Sequence, residues 1–173
     1  MKFLHSQRVL HGDLAARNIL LADNNTVKIC DFGMARTLYK TNNYKKKPGA
    51  KLPLKWLAME SFEWLIFNER TDVWSFGVLL WELFSLGRIP YPHIPTGELL
   101  DQLKEGYRLE KPEHANETLY SIMLDCWDSI PENRPSFAIL EQIFTKILGR
   151  HLPHVGLKLL CERNCNIFKF LFL

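Results

Sequence analysis

A chain of 173 residues, 47% hydrophobic and 24% charged, is long enough for one domain with a real core and too short for two large ones. That balance is that of a globular domain rather than a disordered one, and a net charge of +3 gives no reason to invoke nucleic acid. No run approaches the ~20 apolar residues of a membrane helix, no signal-peptide core opens the chain, and Cys30, Cys126, Cys161 and Cys165 lack disulfide-framework spacing. The expected setting is reducing and cytosolic, with no membrane insertion by this segment.

In chain order, Met1 to Ser6 reads as the end of a helix. Val9-Leu10 is a short apolar run, followed by the polar stretch His11 to Asn18. Ile19-Leu20-Leu21 and Val27-Lys28-Ile29-Cys30 are β-prone and flank the turn-forming Ala22 to Thr26, which predicts a hairpin. Such a hairpin brings the stretch after Asp13 close to Asp31. Residues 34–58, rich in Lys, Asn, Gly and Pro, read as a long irregular and functional loop. A helix is expected near Met59-Glu60-Ser61. A second starts at Thr71-Asp72, runs through Phe84 and stops at Gly87. It is apolar nearly all round, which predicts a buried hub for the core. Three more helices are expected: one capped by Thr96 and running to Lys104, one over Glu117 to Trp127, and one over Ser136 to Leu148.

The chemistry lies in two motifs. His11-Gly12-Asp13-Leu14-Ala15-Ala16-Arg17-Asn18 puts a carboxylate and a carboxamide five residues apart on a tight loop. Asp31-Phe32-Gly33 adds a second carboxylate at a strand end. Phosphoryl transfer needs a group to orient the attacking hydroxyl and hard oxygen ligands for magnesium. Asp13 suits the first role, Asn18 and Asp31 the second. Either motif alone reads equally well as ordinary loop and turn; both in order, separated by a hairpin, do not.

On these residues the chain resembles the large, mainly α-helical C-terminal lobe of a eukaryotic protein kinase, over about residues 1–148. Leu14-Ala15-Ala16-Arg17-Asn18 resembles the tyrosine-kinase form of the catalytic loop, and Pro53-Leu54-Lys55-Trp56 the tyrosine-kinase substrate platform. Both disfavour a serine/threonine kinase. Thr71 to Gly77 matches the start of the family's central helix, and Cys126-Trp127 with Pro131 to Pro135 its late helices. Leu38-Tyr39-Lys40, Gly49 to Trp56 and Leu83 to Gly87 are similar to the receptor tyrosine kinases of the platelet-derived and vascular endothelial growth factor receptor group.

The resemblance implies ATP and Mg2+ as cofactors, tyrosine-bearing protein substrates, and a parent receptor that dimerises at the plasma membrane with this lobe on its cytoplasmic side. It implies Asp13 as catalytic base, Arg17 as its positioner, Asn18 and Asp31 as metal and nucleotide ligands, and Tyr39 and Tyr44 as activation-loop phosphosites. Beside Tyr44, Lys45-Lys46-Lys47 reads as a solvated face. Structural roles fall to His11, Phe32 and Gly33, to Asp72 beneath the catalytic loop, and to a Glu60–Arg134 pair.

The sequence departs from the pattern at three places. Gly12 stands where the family usually has an arginine, which removes one clamp on a phosphorylated loop. Met59 replaces a proline and should loosen the start of its helix. No Gly-rich phosphate loop, β3 lysine, partner glutamate or hinge is found in the 173 residues, so the N-terminal lobe is expected to be missing through an internal start, a truncated gene product or an exon block. The expectation is weak MgATP binding and no turnover by these residues alone; the alternative role is an inactive binding or interfering module. Residues 149–173 match nothing in the family. His151, His154, Cys161 and Cys165 have zinc-ligand chemistry but no standard finger spacing, so read-through sequence or a sticky tail is the favoured reading.

Overall fold

The computed structural model describes residues 1–23, 26–38, 42–46, 49 and 52–150. Tyr39, His151, His154, Cys161 and Cys165 lie outside the described residues. The fold is mainly helical: α1 (Lys2–Ser6), α2 (Met59–Trp64), α3 (Glu69–Phe84), α4 (Leu99–Lys104), α5 (Glu117–Cys126) and α6 (Phe137–Arg150). Six short strands accompany them: β1 (Val9–Leu10), β2 (Ile19–Ala22), β3 (Thr26–Ile29), β4 (Arg36–Thr37), β5 (Tyr44–Lys45) and β6 (Ile66–Phe67).

Helix α3 is the hub that its apolar sequence predicts. Every residue from Thr71 to Glu82 is buried, as is Phe84. It begins two residues earlier than Thr71, because Asn68 caps it. The Asn68 side chain accepts the N–H groups of Arg70 and Thr71, and the Thr71 hydroxyl accepts the Asn68 N–H, a reciprocal capping box. After Phe84 the Gly87 N–H closes back onto the Glu82 carbonyl at 2.8 Å, with φ +81° at Gly87.

Around α3 the other helices bury single stripes. On α5 these are Leu119, Ile122, Met123 and Cys126; on α6 they are Phe137, Leu140 and Phe144. Both stripes have the spacing of one helix face. Asn116 caps α5 by accepting the Leu119 N–H at 2.9 Å. Thr96 does not cap α4, which starts at Leu99 after Glu98 with no side-chain cap. The turn before it is closed by the backbone, Glu98 N–H to the Pro95 carbonyl.

The predicted hairpin forms, with β2 and β3 antiparallel from Ile19↔Ile29 to Ala22↔Thr26. The stretch 34–58, expected to be irregular throughout, contains two short strands. β4 pairs with β1 (Val9↔Thr37), and β5 pairs with β6 (Tyr44↔Phe67). These are long-range ladders rather than hairpins. They rest on a second, smaller cluster of Leu10, Leu38, Leu57 and Phe67, distinct from the large one around α3.

Candidate active site

Three segments converge, two of them held by α3 through Asp72, Ser75 and Glu82. The first is the loop from His11 to Asn18. Asp72, 1% exposed, holds it from below: Oδ2 accepts the His11 N–H at 2.8 Å and Oδ1 accepts the Gly12 N–H at 2.9 Å. His5 Nε2 shares Oδ2 at 3.0 Å, an anchor that no motif announced. Gly12 has φ +75°, and a Cβ there would lie 3.0 Å from the Met34 carbonyl oxygen. Glycine therefore fits this corner both in backbone conformation and in space.

Asp13 is buried and surrounded by donors. Arg17 Nη2 bonds Oδ1, and Asn18 Nδ2 bonds Oδ2 at 2.9 Å as well as the Asp13 carbonyl at 2.7 Å. Arg17 and Asn18 sit on a 3₁₀ turn, Ala16–Asn18. With its amide nitrogen committed to Asp13, Asn18 keeps Oδ1 as the atom for a cation.

The second segment is Cys30 to Met34. His11 binds it to the loop. His11 Nδ1 accepts the Asp13 N–H at 3.2 Å, which puts the ring proton on Nε2, and Nε2 donates to the Cys30 carbonyl at 3.0 Å. The His11 ring meets Phe32 edge-on at 5.0 Å, and the Cys30 N–H donates to the Asn18 carbonyl at 2.9 Å. Asp31 then turns into the left-handed region, φ 58° and ψ 69°, and its Oδ1 accepts the Gly33 N–H at 3.2 Å. A Cβ on Gly33 would lie 3.1 Å from that oxygen, so Gly33 keeps the turn tight. Asp31 is exposed.

The third segment is the 3₁₀ turn Leu54–Trp56 that follows Pro53. The Arg17 guanidinium lies over the Trp56 ring at 4.4 Å, within cation–π range. Lys55 points its ammonium at two main-chain carbonyls, Pro90 at 3.0 Å and Tyr91 at 3.1 Å. It anchors the turn rather than offering a free charge. Glu82, which sequence reasoning passed over, accepts the N–H of Ala16 and the Nε1–H of Trp56, each at 2.9 Å. Burial pushes its carboxyl above the ordinary range, against those two bonds and Arg17.

Tyr44 is half-buried in β5 with the Arg36 guanidinium 5.5 Å from its ring. Lys46, expected on a solvated face, is instead buried at 8% exposure, over the Phe67 ring at 4.7 Å and beside Met34 Sδ. Burial, with Arg36 nearby, lowers the pKa of its ammonium. Glu60 and Arg134 form the expected pair, Nη1 to Oε1 at 2.6 Å and Nη2 to Oε2 at 2.9 Å, remote from the loop.

Among the described residues no cluster of three or more His, Cys, Asp or Glu could hold a metal ion. A carboxamide and one carboxylate suit a Mg2+ ion that completes its shell with water and substrate phosphates.

The family model for protein tyrosine and serine/threonine kinases matches residues 1–144. The chain belongs to that family. It is 57% identical over 157 residues to vascular endothelial growth factor receptor 1 of Gallus gallus, covering 90% of this chain and 12% of the receptor. Vascular endothelial growth factor receptor 3 of Danio rerio is 50% identical over 157 residues, with 90% and 12% covered. The tyrosine kinase receptor Cad96Ca of Drosophila melanogaster is 43% identical over 164 residues, with 95% and 21% covered. The chain spans about an eighth of the length of the growth factor receptors it matches. No helix among the described residues is long and apolar enough to cross a membrane.

Proposed function

We propose that residues 1–148 are the C-terminal, catalytic-loop lobe of a receptor tyrosine kinase that transfers the γ-phosphoryl group of ATP to tyrosine in proteins. The observation that carries this reading is the linked set Asp13, Arg17, Asn18 and Trp56. Asp13 is a base, held by two donors, beside a cation stacked on an aromatic platform.

In this reading a substrate tyrosine lies against the platform of Pro53, Leu54, Lys55 and Trp56. Its hydroxyl oxygen attacks the γ-phosphorus, the bond to the ADP oxygen breaks, and the hydroxyl proton passes to an Asp13 carboxylate oxygen. Arg17 keeps that carboxylate in place. Asn18 Oδ1 and the Asp31 carboxylate would hold Mg2+, which neutralises phosphate charge when bound. Asp72, His11, Phe32 and Gly33 fix the geometry of these groups. Tyr39 and Tyr44 are assigned as phosphosites of the intervening segment, where added phosphate pairs with nearby cations. The parent works at the cytoplasmic side of the plasma membrane, pairs with a second receptor, and phosphorylates partner proteins.

The ligand assignment is tested on the 173-residue chain with Mn2+·ADP as paramagnetic probe. Resonances of Asn18 and Asp31 should broaden, and Asp31→Asn should remove the effect; broadening elsewhere alone refutes the assignment. The base is tested by phosphotyrosine formation. Within a longer kinase chain that includes a phosphate loop, Asp13→Asn should lower the rate by about 10²–10⁴-fold. The 173 residues alone, whose sequence contains no Gly-rich phosphate loop, should show no turnover and act as a binding module. Robust phosphotyrosine formation by them, abolished by Asp13→Asn, would overturn that expectation.

A further inference from the structure

Helix α3 carries one carboxylate late in a run of buried apolar residues. Glu82 is 7% exposed, and both hydrogen bonds it accepts end on the same atom, Oε2. One donor is the main-chain N–H of Ala16, the first residue of the turn that bears Arg17 and Asn18. The other is the indole N–H of Trp56, the last residue of the platform turn. The two donors belong to different segments, and among the described residues each has Glu82 as its acceptor.

We propose that Glu82 is a positioning residue that sets the substrate platform against the catalytic base, with Oε2 joining Trp56 to the turn carrying Arg17. The inference rests on the reading of Asp13 as base and Trp56 as platform. The linkage closes a circuit. Glu82 fixes the Trp56 ring, the ring carries the Arg17 guanidinium at 4.4 Å, and Arg17 bonds Asp13. The same oxygen fixes the start of the turn from which Arg17 and Asn18 project.

An apolar residue at this position would leave two donors without a partner at a part-buried site. An anion strengthens both bonds. The charged groups facing Glu82 are Arg17, which favours its charge, and Asp13, which opposes it. Because one oxygen takes both bonds, a carboxamide oxygen can do the same without charge. Glutamine therefore preserves the circuit, whereas alanine removes it.

The test uses the 15N-labelled 173-residue chain, following the Trp56 indole N–H and binding of a tyrosine-containing peptide by chemical-shift perturbation. Glu82→Ala should speed solvent exchange of the Trp56 Nε1–H at least tenfold and weaken the peptide about tenfold. Glu82→Gln should restore both to within about twofold. Unchanged Trp56 exchange in a folded Glu82→Ala chain overturns the proposal, as does failure of Glu82→Gln to restore it. Should Glu82→Ala not fold, Trp56→Phe keeps a ring for Arg17 and removes one donor. The Glu82 carboxyl, followed by 13C detection, must then titrate at higher pH, and an unmoved midpoint overturns the linkage. A wild-type chain that binds no tyrosine peptide refutes the platform reading, while Trp56 exchange still decides the role of Glu82.

Discussion

Arg134 is 1% exposed, and its charge is answered from several sides. Besides the two bonds to Glu60, Nε donates to the Asp128 carbonyl at 2.9 Å and Nη1 to the Arg70 carbonyl at 3.2 Å. Its guanidinium lies 5.0 Å from the Trp74 ring. Removing one partner of such a pair leaves an uncompensated buried charge, so Glu60→Ala should cost about 3–5 kcal/mol in chemical denaturation. Replacing both residues by methionine should recover most of that loss. A double variant no more stable than Glu60→Ala would show that the cost does not come from the orphaned charge. Glu82 yields a second residue-scale prediction, with opposite sign. Its carboxyl is pushed up by burial, so the folded state binds the proton more tightly than the unfolded chain. Stability is then highest below the ordinary carboxylate pKa and falls as pH rises through the shifted one. Glu82→Gln should flatten that fall and be at least as stable as wild type at pH 7 by thermal unfolding; a steeper fall would contradict the assignment. The Glu60–Arg134 pair and the Asp72 anchor were legible through motif resemblance. Glu82 was not, because its partners are 26 and 66 residues away and a carboxylate in an apolar run names no partner by itself.

Element by element, α3 and α5 approach closely because Gly77 has no side chain. A Cβ there would lie 2.6 Å from Trp127 Nε1 and 2.8 Å from Cys126 Cβ, and both residues are buried at the contact. Gly77→Ala would gain about 1 kcal/mol of helix propensity. Overpacking a rigid contact costs about 1–3 kcal/mol before any such gain, and a backbone-borne Cβ cannot rotate away. Net destabilisation is therefore expected in thermal unfolding, and a more stable Gly77→Ala would refute the close approach. The existence of α3, α5 and α6 was readable from apolar spacing over ten or more residues. Their boundaries were less so. The Asn68–Thr71 capping box uses threonine at the position where a glutamate or glutamine usually gives the signal, so the sequence points to Thr71 rather than Glu69 as the start. At α4, Thr96 has the right chemistry but lies in the turn closed by Pro95. Strands β1, β4, β5 and β6 have two residues each, too few to show a period of two.

At the scale of the whole molecule the two hydrophobic clusters divide the work. The large one is centred on α3, and the small one of Leu10, Leu38, Leu57 and Phe67 holds the segment after Asp31 through the β1–β4 and β5–β6 ladders. The platform turn straddles both. Leu54 packs against the small cluster, and Trp56 packs against the large one while its indole N–H is held by Glu82. Opening free energies follow such units rather than being uniform. Phe67→Ala removes the largest side chain of the small cluster and leaves a cavity under β5 and β6, at a cost of about 3–5 kcal/mol. Hydrogen exchange should then quicken at residues 36–38 and 44–46 and at Leu52 and Leu54. Protection in the buried middle of α3, in α5 and α6 and at the Trp56 indole should persist, because Phe67 belongs to the small cluster and these belong to the large one. A uniform rise across α3, α5 and α6 would mean that the molecule opens as one unit. The predicted pattern instead leaves Asp13, Arg17 and Trp56 in place while the segment bearing Tyr44 loosens. The β5–β6 ladder and the α3 hub thus open separately, because they rest on different clusters.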